Sequence, residues 1–82
     1  MNWYDELQKE FIKNGDDFSE MLININEKEQ KQEFDSGGGD CNGVPFTAWG
    51  VYFVYFPVGY DGSDYIGSVP RNPCNLKKRI GA

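Results

Sequence analysis

The sequence predicts an α+β fold: an N-terminal amphipathic helix packed on an antiparallel sheet of about four strands. Three observations carry this. "MNWYDELQKEFIKNG" repeats its apolar residues at helical spacing and stops at Asn14-Gly15. From Phe46 onward the chain runs in short segments rich in Val, Ile, Phe and Tyr, punctuated by Gly, Pro and Asp. Between the two, "SGGGDCNGVP" reads as loop. The 82 residues make one domain, with the helix at about 3–13, the sheet at about 21–69 and a basic tail at 71–82. A chain this short buries only about 60–65% of the surface its unfolded form exposes. The high aromatic share, 16%, offsets that, because a few large rings build a core from few positions. Such a composition argues against disorder.

The helix has Asn2 as N-cap, and Asp5 and Glu6 in the first turn, where the helix dipole favours anions. Tyr4, Leu7 and Phe11 form its apolar stripe, flanked by Trp3 and Ile12. Asp16 to Glu20 read as a turn with some helical character. Met21 to Glu29 read as a strand, and the polar run "NEKEQKQEF" as its solvated edge extension. A second helix over that run is the competing reading, with i,i+4 charges in its favour but no apolar stripe. Phe46 to Trp49 is a short strand and Gly50 a turn or bulge. Val51 to Val58 is the central strand. Asp61-Gly62 is a hairpin turn of type I′ composition, and Tyr65 to Val69 is the returning strand. Pro70 and Pro73 end the regular structure.

The central strand poses a burial problem. Val51, Phe53, Tyr55 and Pro57 lie on one side of it, and Tyr52, Val54, Phe56 and Val58 on the other. Both sides are apolar, so both need cover, and the chain supplies one clear helix. The sheet can curl into a small barrel, the loop and tail can fold over it, or the second face is an interface with a partner or another copy.

Charge is unevenly distributed. Residues 1–70 hold all 13 acids and four of the eight bases (4 − 13 = −9), and residues 71–82 hold the other four bases and no acid. An acidic body repels phosphate, so it is not expected to bind nucleic acid directly. It suits a basic protein surface, including one that itself binds nucleic acid. The N-terminus has no basic-then-apolar leader pattern, and no apolar run approaches the roughly 20 residues of a membrane span. A cytoplasmic location is therefore expected, with Cys41 and Cys74 as free thiols. Pairing them would tie the Gly-rich loop to the tail.

Catalytic chemistry finds little support. The chain has no histidine, which removes the Ser-His-Asp triad, the Cys-His pair and the HExxH zinc helix. Two cysteines fall short of a closed zinc site. "SGGGDCNG" lacks the Gly-Lys-Ser/Thr ending of a phosphate loop. "DGSD" lacks the further ligands of a calcium loop. Asp16-Asp17 reads as a cap or turn, and "NLKKRI" is a short basic cluster. No enzyme and no cofactor are expected.

The block Val44 to Cys74, through its words "PFTAW", "VYFPV-YDGS" and "SVPRNP", resembles a pattern in short uncharacterised proteins of phages and prophages. It covers about half the chain. In general type (tiny, acidic, α+β, aromatic-rich, lacking catalytic residues) the whole chain is similar to anti-CRISPR proteins. That likeness implies inhibition by binding a bacterial nuclease or CRISPR surveillance complex in the host cytoplasm. It carries over no particular residue, because such inhibitors share no motif.

The expected function is thus a non-enzymatic inhibitor that binds a basic surface of a bacterial defence protein. Its expected acidic contacts are Asp16, Asp17, Glu27, Glu29, Glu33, Asp35 and Asp40. Its aromatic anchors are whichever of Tyr52, Tyr55, Tyr60 and Tyr65 the fold leaves exposed. The rival expectation is a self-associating structural or accessory phage protein, a homodimer closing the open sheet face.

Overall fold

A computed structural model describes residues 1–34, 43–60 and 63–71. Helix α1 spans Trp3–Lys13. The Asn2 side chain caps it by accepting the Asp5 N–H at 2.8 Å, and Gly15, with φ of +68°, takes the left-handed turn that ends it. The chain continues through a 3-10 turn, Phe18–Glu20, strand β1, Leu22–Ile23, and helix α2, Glu27–Lys31. Strand β2 is Ala48–Trp49, β3 is Phe53–Tyr60 and β4 is Ser63–Pro70. The four strands form one antiparallel sheet in the order β1-β2-β3-β4. The expected α+β architecture is present. Among the described residues the sheet is open, with β1 and β4 at its edges, and is not a barrel.

The stripe of α1 is turned slightly from the expected one. Trp3, Leu7 and Phe11 are fully buried, Tyr4 is half-buried, and Ile12 is 73% exposed. Spacing of four rather than three plus four brings Trp3 to the centre of the contact. Its indole N–H donates to the Val44 carbonyl at 3.0 Å, and its ring meets Phe34 at 4.7 Å and Phe46 at 5.3 Å. Gly43 must be small here, since a Cβ would stand 2.3 Å from Trp3 Nε1. Farther along α1, Phe11 stacks on Tyr55 at 4.2 Å. Phe53, Tyr55, Ala48 and Ile66 complete the core under the helix.

One element differs from expectation. The run Glu27–Lys31 is a helix, not an edge extension of the strand, and the strand itself shortens to Leu22–Ile23. A capping box decides this. The Glu29 N–H donates to Asn26 Oδ1 at 2.7 Å, and the Asn26 N–H donates to Glu29 Oε1 at 3.1 Å, which satisfies two otherwise orphaned donors. Lys31 reaches back to Glu27 at 2.7 Å. The helix has no apolar stripe to bury, so it buries Gln30 instead, whose amide donates to the Ile25 carbonyl at 3.3 Å. Beyond it, Phe34 and Met1 exchange backbone hydrogen bonds at 2.9 and 3.1 Å, fixing α2 beside the start of α1.

The hairpin turn at Asp61-Gly62, the loop Ser36 to Asn42, the two cysteines and residues 72–82 lie outside the described residues. Tyr60 and Ser63, which flank that turn, are paired. Pro57 sits where β3 has passed the end of β2 and pairs with β4 alone. Its missing N–H is tolerated there because no second neighbour needs it.

Candidate protein-binding surface

The region is built around one carboxylate that the cap-or-turn reading only half captured. Asp17 caps the 3-10 turn, accepting from the Ser19 N–H at 3.0 Å. Asp16 does something longer in range. Its Oδ1 accepts the N–H groups of Asp17, Val51 and Tyr52 at 2.9, 2.8 and 3.3 Å. Its Oδ2 accepts the Phe53 N–H at 3.2 Å and the Tyr55 hydroxyl at 2.9 Å. Three successive backbone N–H groups converging on one anion form a nest. Gly50 leaves room for it, since a Cβ there would lie 2.0 Å from Asp16 Oδ2. Arg71 fastens the other side of the same turn. Its guanidinium donates to the Gly50 carbonyl at 2.6 Å, and its N–H donates to the Tyr52 carbonyl at 2.8 Å.

The Val51-Tyr52 turn between β2 and β3 is thereby held rigidly while its side chains stay outside, Val51 at 44% and Tyr52 at 47% exposure. A pre-ordered apolar tip is a favourable contact, because less conformational freedom is lost on binding. Of the four candidate tyrosines, Tyr52 and Tyr65 are about half exposed and Tyr55 is fully buried. Tyr55 is a core ring whose hydroxyl serves Asp16. Burial, with Asp16 beside it, raises its phenol above the ordinary tyrosine value. Tyr60 is placed in β3.

The acidic candidates separate in the same way. Asp16 is engaged by five donors of its own chain. Asp17, Glu27 and Glu33 are exposed and Glu29 is half-buried in the capping box, while Asp35 and Asp40 lie outside the described residues. Glu27 is held below the ordinary glutamate value by the hydrogen bond from Lys31. Glu33 is held below it by hydrogen bonds from Asn2 and the N-terminal ammonium. Both stay charged across the neutral range. Such exposed pairs add little stability, and what they define is a surface. Residues 1–34 carry nine acids against four lysines, whereas the described part of the sheet from Gly43 to Arg71 carries only buried Asp64 and exposed Arg71. Among the described residues the acids thus gather in the helical region, while the part from Gly43 to Arg71 holds one acid and one base.

A pocket lined by Glu29, Gln32, Phe34, Gly43 and Val44 has a cavity volume of about 30 Å³. Small-molecule sites typically take about 300–1,000 Å³. Among the described residues no three Cys, Asp or Glu side chains gather as a metal would require, and no helix is long and apolar enough to cross a membrane. The fold is that of a small α+β domain with an acidic helical region. Comparison with protein-family models, curated proteins and solved structures returned no match to this chain.

Proposed function

We propose that this protein is a non-enzymatic, stoichiometric inhibitor of the phage type. It binds a Lys/Arg-rich, nucleic-acid-binding surface of a bacterial defence nuclease or CRISPR complex in the host cytoplasm. The observation that carries the reading is the acidic helical region: nine acids against four lysines in residues 1–34, with Asp17, Glu27 and Glu33 among the exposed ones. Such a surface attracts a partner whose own ligand is polyanionic. Exposed Tyr52, on its fixed turn, supplies an aromatic anchor of the kind that dominates interface energies.

Capture from a bacterial lysate, with mass spectrometry of the retained proteins, tests this. A nucleic-acid-binding protein retained at about 50 mM salt and lost at about 500 mM is expected, since exposed charges are screened over shorter distances as salt rises. Retention indifferent to salt would count against charge as the basis of binding.

A further inference from the structure

The second face of the sheet carries an inference beyond the acidic surface. Alternation and register place Leu22, Trp49, Val54, Phe56, Val58 and Tyr65 together on the side away from α1. None of them belongs to the buried core or to the side chains packed against it. Leu22 is 64% and Tyr65 47% exposed, and Trp49, Val54, Phe56 and Val58 between them are half-buried. The face is also smooth. Gly67 lies opposite Phe56, and a Cβ at Gly67 would stand 2.5 Å from the Phe56 ring and 2.8 Å from a Val58 methyl. Without that Cβ the ring lies across β4 rather than standing off it. No strand position on this face bears a charge, in a chain that is 26% charged.

We propose that this face packs against the same face of a second copy of the chain, forming a two-fold symmetric dimer. The charge distribution selects that occupant. A basic partner is drawn to the helical region, and an acidic one is repelled by it. Two copies of this chain, each of net charge −5, can approach closely only where neither presents its acids, and this uncharged face meets that condition. An isologous contact requires self-complementarity. An uncharged apolar face lets two copies meet without burying an unpaired charge, and two sheet faces stack about 10 Å apart. With strands about 4.8 Å apart and about 3.3 Å per residue along two long and two short strands, the patch is on the order of 300 Å² per copy. That is less than half the roughly 800 Å² per partner of a standard interface. The dimer is therefore weak and transient.

Sedimentation velocity of the full chain over a concentration series tests this, on wild type and on the double variant Leu22→Lys, Tyr65→Lys. Both positions are exposed, so the variant folds, and its circular dichroism and melting temperature at low concentration confirm that. Wild type is expected to pass from monomer to dimer with rising concentration and to stay dimeric at high salt, because apolar contact is not screened. The double variant is expected to weaken the association at least roughly tenfold, because charges placed in the contact lose their water without gaining a partner. Three results would overturn the proposal. The first is a monomer throughout the series, as expected if the chain's own remaining residues cover the face. The second is a dimer untouched by the two lysines, as expected for pairing along the β4 edge. The third is a dimer that dissolves in salt. Because acid-mediated capture is lost in salt and this dimer is not, the two proposals fail independently.

Discussion

Asp16 illustrates how one side chain can organise a small sheet. Its carboxylate gathers four backbone N–H groups and a phenol from two parts of the chain. Removing it leaves the Asp17, Val51 and Tyr52 N–H groups to water and takes an acceptor from the part-buried Phe53 N–H and Tyr55 hydroxyl, at a cost of about 1–3 kcal/mol for each poorly satisfied buried group. Asp16→Ala should lower the unfolding free energy by about 2–3 kcal/mol in urea denaturation, a large part of what a domain this size holds. Asp17→Asn, which keeps its cap, should change it by less than about 0.5 kcal/mol. Equal effects at the two positions would disprove the distinction. Tyr55 gives a pH prediction. Its phenol is raised above 10.0 by burial and by Asp16, so the folded state favours the neutral form. That contribution is fully present below pH 10 and is lost as pH rises through the folded value. Stability should fall above about pH 10, and Tyr55→Phe should remove this part of the fall, read from denaturation midpoints across alkaline pH. None of this was legible in sequence, because the groups that meet Asp16 from the turn and β3 lie 35 to 39 positions away. A turn or cap was the natural local reading, and it holds for Asp17.

At the scale of elements, most of the fold could be read because the signals were local. Asn2, Asn14 and Gly15 bound α1 where capping chemistry says they should, and apolar runs marked three of the four strands to within a few residues. The element that was misread, α2, had a local signal too: Asn26 followed three residues later by Glu29. The lack of an apolar stripe outweighed it. A five-residue helix needs little stripe when its cap is complete and a neighbour holds it,. Asn26→Ala should therefore destabilise the protein by about 1 kcal/mol, and Asn26→Ser by much less, measured by thermal or urea unfolding. No loss with alanine would mean that packing on α1, not the cap, makes this helix. The shift of the α1 stripe towards Trp3 could not be read, since Trp3 and Tyr4 are equally apolar at adjacent positions. What distinguishes them is the Val44 carbonyl waiting for an indole N–H.

Among the described residues the molecule is two-sided. Helix α1 covers one face of the sheet with α2 packed beside it, and the strand positions of the other face bear no charge. The acidity of the body and the doubly apolar central strand were both visible in sequence. That they fall on opposite sides was not, because it depends on register. The arrangement separates two modes of association: one electrostatic and salt-sensitive, the other apolar and salt-tolerant. The most direct test of the central claim is lysate capture at about 50 and about 500 mM salt with three baits. These are wild type, an acid-neutralised variant (Asp17→Asn, Glu27→Gln, Glu33→Gln), and the sheet-face variant Leu22→Lys, Tyr65→Lys. The account predicts that wild type and the sheet-face variant retain the same nucleic-acid-binding protein at low salt only, and that the neutralised variant retains much less of it. A partner held equally by all three at both salts, or lost only with the sheet-face variant, would contradict it.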